Sequence, residues 1–267
     1  MSYPRASLRT LLAAGVSLLV LPGAALAADA AADAEPEDVI VVQGSVIENT
    51  AGKTGLAIAE TPRSISVETL QDLQDKGVLD LDDSFLYTPG AFGQVFGFDT
   101  RGDWIKVRGL DVPEYQDGLQ SHFGSYNDTR PEIFFLQQVE ILRGPAAVLY
   151  GQGSPGGLVN VVTKRPEFEA SGNLELQLGN FSRRQVGIDL TGPVPGTDET
   201  LAFRFLALGR DSDTQIDFVE DDALAVSPSI TWRPTDRAEL TLIGNYQERR
   251  GDSGHQFLHR EGTLVPA

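Results

Sequence analysis

Three short patterns in the chain carry residue types that could do chemistry, and their surroundings decide whether they would. Gly151-Gln152-Gly153-Ser154-Pro155-Gly156 has the glycine spacing with which a backbone cradles a pyrophosphate. That chemistry needs a helix opening directly after the glycines, so that the phosphate sits on its N-terminus. Here Val159, Val161 and Val162 form a β-branched run that ends within a few residues, and a crossover helix has no room. Ser154 does not fit a hydrolase nucleophile, because Gln152 rather than glycine precedes it by two and no helix follows. His255 and His259 share an i, i+4 spacing, but HQFLH lacks the glutamate of a zinc protease and lies in a glycine-rich stretch. Neither a nucleophile–base pair nor a metal cluster emerges, so the chain is not expected to be an enzyme or to hold a cofactor.

Composition narrows the partners. With 21 Lys+Arg against 38 Asp+Glu the chain carries a formal charge of −17. A polyanion needs a basic face, so a nucleic-acid partner is excluded. There is no cysteine, hence no disulfide and no thiolate site. The 28 Gly and 15 Pro point to many turns and short strands. Arg5 and Arg9 precede an apolar run from Leu11 to Leu21, and Ala25-Leu26-Ala27 supplies a small-x-small cleavage site. This is the pattern of an export signal over residues 1–27. The run is shorter than the roughly 20 apolar residues of a spanning helix. No second run of that apolarity follows, which leaves membrane strands open as a possibility, because their alternation averages out in hydropathy.

The elements that would position any site fall into three further stretches. Residues 28–53 open on an acidic, alanine-rich leader that holds a short β-branched run, Asp38-Val39-Ile40-Val41-Val42. That run is either the first strand of the neighbouring domain or an isolated strand seeking a partner edge. Residues 54–166 read as a small α+β domain with long loops. Its expected pieces are a strand at TPRSISV, a helix from Glu68 to Lys76 with Leu70 and Leu73 on one face, and a second short helix from Leu79 to Leu86. Strand-like pieces follow at Trp104–Arg108, Val139–Leu142 and Leu158–Thr163. Residues 167–267 change texture: Leu174, Leu176 and Leu178 alternate with polar residues. Similar stretches run at about 184–192, 200–211, 223–233 and 237–249. The connections alternate between compact turns and a longer acidic loop at 212–222. A membrane barrel and a soluble β-sandwich both produce such alternation, and periodicity does not separate them.

Ordered motifs do. DVIVV, then TPRSISV, LYTPG, WIKVRGL and finally VEILRGPAAVLYGQGSPGGLVNVVTKRP succeed one another from Asp38 to Pro166. In this order they resemble the plug region of TonB-dependent siderophore receptors, most closely the ferrichrome/hydroxamate type. The departures are Lys106 in the strand before Arg108, and Leu110 where the family has phenylalanine. The resemblance implies an α+β plug followed by the first antiparallel strands of a transmembrane β-barrel of roughly 22 strands, wide enough to need filling. It implies an outer-membrane protein of a Gram-negative bacterium that binds ferric siderophore. It implies that Asp38, Val39, Ile40, Val41 and Val42 are the TonB box, which pairs edge-on with TonB energised by ExbB and ExbD. Arg108 and Arg143 are implied as plug-to-barrel anchors, pairing with barrel carboxylates beyond residue 267. Arg101 and Tyr126 match apical siderophore contacts, with Phe98, His122 and Phe123, and with Phe92 and Phe96, as aromatic walls. Arg101 would complement an anionic ligand, and Tyr126 would stack on it or hydrogen-bond to it.

Length sets a further expectation. Roughly five strands of about 10 residues cannot close a barrel, and an open edge is not tolerated in lipid. The chain is therefore expected to be the front portion of a longer receptor, unable to reach a stable membrane-embedded state alone. A receptor for cobalamin or carbohydrate and a secreted β-rich binding module are the alternatives. The short spacing between Ala27 and Asp38 disfavours a signal-transducing subtype.

Overall fold

The computed structural model describes residues 61, 63–121, 129–151, 153–235 and 237–252. The first described element is β1 (Ser64–Thr69), which runs directly into helix α1 (Leu70–Asp75). The helix starts at Leu70 and not at Glu68, because Thr69 caps it. Thr69 Oγ1 accepts from the Asp72 backbone N–H at 3.2 Å, and Asp72 Oδ2 accepts from the Thr69 N–H at 2.9 Å. This reciprocal capping box leaves Glu68 in the strand, where it accepts from Thr88 Oγ1 at 2.8 Å and pairs with Lys76. The expected helix over Leu79–Leu86 is only a single 3-10 turn, Asp82–Phe85. Its carboxylate-rich start favours caps and turns over a continuing helix.

Short ribbons come next: β2 (Ala91–Phe92), β3 (Lys106–Val107) and β4 (Leu110–Asp111) form a three-stranded sheet, so the strand expected at Trp104–Arg108 shrinks to two residues. The main sheet adds β5 (Glu114–Gln116), β6 (Leu119–Gln120), β7 (Leu136–Arg143) and β8 (Gly157–Thr163), in the order β1-β7-β8-β5-β6. Strand β8 is buried along its whole length, which suits its mostly apolar sequence, and its one mid-strand polar residue, Asn160, donates to Glu140 at 2.8 Å. Val139, Ile141, Val159 and Val161 pack with Leu73, Leu81, Phe85 and Val107 into one core. The one-turn helix α2 (Ala147–Tyr150) precedes the 151–157 glycines, and β8 begins at Gly157. No helix opens there, so the pyrophosphate reading is closed by geometry as well as by sequence. Gly157 has φ +135°, and a Cβ there would lie 1.9 Å from the Leu142 carbonyl oxygen, so only glycine lets β8 meet β7.

The last part is a six-stranded antiparallel sheet of β9 (Ser171–Leu178), β10 (Arg184–Pro193), β11 (Leu201–Asp211), β12 (Asp222–Thr235), β13 (Ala238–Ile243) and β14 (Tyr246–Arg250). Strands β13 and β14 are the two halves of the strand expected at 237–249. Both pair with β12 in one register apart from a shift between Trp232 and Thr235, and they separate opposite Pro228, which has no N–H for the ladder. The registers align apolar rows across the sheet. Leu174 faces Ile188, Leu190 faces Phe205, Phe203 faces Ile230, and Trp232 faces Leu240. This face is the exposed one: Leu176 is 68% accessible, Leu178 86% and Trp232 50%. The opposite face carries Gln185, Asp189, Thr191, Arg204, Arg210, Ser227, Ser229 and Thr231, all buried. A water-soluble sandwich has the reverse polarity, whereas a sheet with lipid outside and a polar interior has this one. The buried face packs against the α+β domain. Phe134 and Phe135 meet Leu206, Leu208, Ala223 and Ala225, and Phe134 lies so close to Gly187 that a Cβ there would sit 2.8 Å from the ring. Among the described residues no helix is long and apolar enough to cross a membrane.

Candidate functional site

Two places concentrate charge and aromatic surface. The first is the turn around Arg101. Residues 93–105 leave β2 and return to β3 without regular structure, so side chains rather than a ladder hold them. Asp99 accepts from the Arg101 backbone N–H at 2.9 Å and from Arg101 Nη2 at 2.9 Å. Burial opposes charge on Asp99, but these hydrogen bonds outweigh it and keep its carboxyl below the ordinary range. The Arg101 guanidinium lies 5.7 Å from the Trp104 ring centre, and Trp104 meets Phe96 edge-on at 5.6 Å. Phe96 and Phe92 are well exposed, at 63% and 58%, while Phe98 is half-buried. The structure therefore brings Arg101, Phe96 and Phe98 into one segment, with Trp104 added. Tyr126, His122 and Phe123 lie outside the described residues, as do Asp38–Val42, His255 and His259.

Beneath that turn sits Arg130. Its Nη2 donates to Asp103 Oδ1 at 2.8 Å and pairs with Asp80 at 3.0 Å, and its Nη1 donates to the Asp99 carbonyl at 3.0 Å. Burial alone would lower its pKa, yet Asp103 and Asp80 raise it further above the ordinary arginine range. Asp82, Asp83 and Asp103 share this neighbourhood, so several carboxylates compete for one guanidinium. Burial, reinforced by Asp103 and Asp80, pushes Asp82 up to about 8. Burial and Asp80 push Asp83 up to about 6. Among the described residues no group of carboxylates or histidines is arranged to hold a metal ion.

The second place is the seam between the α+β domain and the sheet. Arg210 of β11 is 1% exposed and reaches Glu132 with Nη1 at 3.0 Å and Nη2 at 3.2 Å. Arg249 of β14 meets the same carboxylate at 3.3 Å, and Asp221 pairs with both arginines. The register supplies the room: Gln185, Arg210, Ala223 and Arg249 stand in one row across β10, β11, β12 and β14, and the small Ala223 lets the two arginines converge. Farther along, Lys164 after β8 pairs with Asp189 of β10 at 3.0 Å. Arg204 of β11 holds Asp189 at 2.8 Å and Glu167 at 2.8 Å. Glu132–Arg210, Glu132–Arg249 and Lys164–Asp189 are charge-assisted bonds between the two layers, whereas Arg204–Asp189 lies within the sheet and Glu167 is 52% exposed.

The carboxylates expected to pair with Arg108 and Arg143 lie beyond residue 267, so the described residues leave that pairing untested. Arg143 Nε donates to the Pro89 carbonyl at 2.9 Å and Nη1 to Ser66 Oγ at 2.8 Å. Arg108, exposed and with φ +54°, lies beside it, and burial together with this second cation lowers the Arg143 pKa. Neither has an ion pair among the described residues. The layer-to-layer pairs Glu132–Arg210 and Lys164–Asp189 are additional to the sequence expectations. A signal for them exists: Arg204 and Arg210 are six apart, so they share one face of a strand with Leu206 and Leu208, where a charge needs a buried partner.

Residues 57–158 match the family described as TonB-dependent Receptor Plug Domain. The chain is 35% identical over 236 residues to the ferrioxamine B receptor of Salmonella typhimurium, covering 86% of this chain and 33% of that protein. Residues 57–158 are thus a plug domain of the TonB-dependent receptors. The chain is also 32% identical over 222 residues to the ferrichrome outer membrane transporter/phage receptor of Escherichia coli, covering 81% of this chain and 30% of that one. Among solved structures, the ferripyoverdine receptor of Pseudomonas aeruginosa bound to ferripyoverdine superposes with a TM-score of 0.67 at 27% identity. That likeness covers 75% of this chain and 27% of the other. The chain thus spans about a third of the length of the curated relatives it matches. In this family's terms the α+β domain is the plug, and the amphipathic sheet with its apolar face outward is barrel wall. The seam of ion pairs is where plug meets wall.

Proposed function

We propose that this chain is the plug and first barrel strands of an outer-membrane receptor that takes up ferric siderophore, of the trihydroxamate class, by TonB-dependent transport. The observation that carries the reading is a plug domain held by buried ion pairs against a sheet whose outer face is apolar. The naming of the relatives as ferrioxamine and ferrichrome receptors supports the ligand class. In this reading residues 1–27 direct export, and Asp38–Val42 form the TonB box that adds as a strand to the TonB protein, driven by ExbB and ExbD. Arg101, Phe98, Tyr126, His122 and Phe123 meet the siderophore at the outer end of the plug. Arg108 and Arg143, adjacent cations, anchor the plug to carboxylates of the barrel. Transport requires the plug to yield to a pull that begins at the box, and the ligand must bind before that pull.

Deleting Asp38–Val42 in a complete receptor containing this chain should therefore abolish uptake of radioactive iron while siderophore binding to whole cells stays unchanged. Uptake that survives the deletion would remove the box assignment.

A further inference from the structure

Arg101 enters the ligand site already paired, and that bears on which ligands the site accepts. We propose that Asp99 is a positioning and specificity residue: by holding Arg101 it cancels the charge the site presents, so that an uncharged ferric trihydroxamate is taken and an anionic ferric catecholate is refused. The proposal rests on the reading of Arg101 as a siderophore contact.

The carboxylate of Asp99 is 1% exposed, while the side chain of Arg101 keeps 21% of its surface accessible. Asp99 Oδ2 accepts from Arg101 Nη2 at 2.9 Å and from Nε at 3.2 Å, and Oδ1 accepts from the Arg101 backbone N–H at 2.9 Å. Asp99 is itself fixed from behind, because its carbonyl accepts from Arg130 Nη1 at 3.0 Å and Arg130 is locked by Asp103 and Asp80. The guanidinium is thus held in one plane near Trp104, with its charge matched by a carboxylate that water does not reach. The surroundings add negative potential. Thr100 Oγ1 donates to the Asp252 carbonyl at 3.0 Å, and a Cβ built at Gly251 would touch both Thr100 and the Glu220 carbonyl. The acidic 212–222 segment therefore abuts the Asp99–Arg101 turn, and its Asp213, Asp217 and Glu220 have no ion pair among the described residues.

The ligand chemistry divides on this point. Three hydroxamate monoanions neutralise Fe(III), whereas three catecholate dianions leave the complex triply negative. A bare guanidinium would favour the second; a paired one retains hydrogen-bond donors for the oxygen-rich face of the first without favouring net negative charge.

The test is the ratio of dissociation constants for an uncharged ferric trihydroxamate and a ferric tris-catecholate, measured on one preparation of a complete receptor containing this chain, so that the active fraction cancels. Asp99→Asn should shift the ratio toward the catecholate by about tenfold, and Asp99→Glu should keep it near the unsubstituted value. An unchanged ratio in Asp99→Asn, with Arg101→Ala still weakening trihydroxamate binding, overturns the role of Asp99 and leaves the contact standing. Unchanged trihydroxamate binding in Arg101→Ala overturns the contact and the proposal together. Should Asp99→Asn fail to assemble, salt decides on the unsubstituted receptor. Catecholate binding should strengthen with ionic strength as repulsion is screened while trihydroxamate binding stays flat; catecholate binding that weakens with salt overturns the proposal.

Discussion

Replacing Glu132 by alanine is expected to destabilise the plug against the barrel wall by about 3–5 kcal/mol, the range for removing one partner of a buried ion pair. The loss is large because of what remains. Arg210, 1% exposed, keeps its charge with no water to take the place of the carboxylate. Arg249, side chain 18% exposed, loses its contact with Glu132 at 3.3 Å. Asp221 offsets part of the cost, since it lies 3.2 Å from Arg210 and 3.3 Å from Arg249. One carboxylate then serves two arginines, so the result belongs at the lower end of the range. Glu132→Gln keeps the shape and one acceptor and should cost less than alanine. Amide exchange at β7 and β11, measured in a complete receptor in detergent, reads the effect directly. Protection unchanged in Glu132→Ala would mean that the seam does not hold the plug.

The second large effect is a pH dependence with an unusual sign for a carboxylate. Asp82 is buried with Oδ1 lacking any hydrogen-bond partner among the described residues, and its pKa is pushed up to about 8 by burial and by Asp103 and Asp80. The folded plug keeps a proton there that the unfolded chain releases near the ordinary carboxylate value. The stability linked to that proton is therefore fully present below about pH 4 and is lost progressively as pH rises toward 8. Asp83, raised to about 6, acts in the same direction over a narrower window. Asp82→Asn, which needs no proton, should stabilise the plug at pH 8 by a few kcal/mol and make little difference at pH 4. Asp99, held below the ordinary range, contributes the opposite slope only in more acidic solution. Exchange protection of the 82–85 turn, followed from pH 5 to pH 8 in both proteins, checks the claim. A slope as steep in Asp82→Asn as in the original would remove Asp82 as its source.

Both effects were out of reach of the sequence for identifiable reasons. The strands after Pro166 could be read because their period of two survives in any context. Which face points to lipid could not, since alternation looks the same from either side; the registers and the exposed leucines settled it. Helix α1 was legible in kind but misplaced at its start, although Thr69 and Asp72 already spell a capping pair. Glu132 stands 78 residues from Arg210, and no local pattern announces a partner at that distance. Asp82 reads as an ordinary turn carboxylate until Gly93 brings the following loop against it, where a Cβ would lie 2.2 Å from its carbonyl oxygen. The plug itself was legible only through the order of its motifs, and the family match over residues 57–158 bore that reading out.

The central claim is that this chain serves ferric siderophore uptake. Its most direct test is radioactive iron accumulation, supplied as a ferric trihydroxamate, in iron-starved Gram-negative cells stripped of their own receptors for it. Cells making a complete receptor that contains this chain should accumulate iron, and accumulation should stop when the proton gradient across the inner membrane is collapsed. Accumulation no greater than in receptor-free cells, or unaffected by collapsing the gradient, would contradict the account.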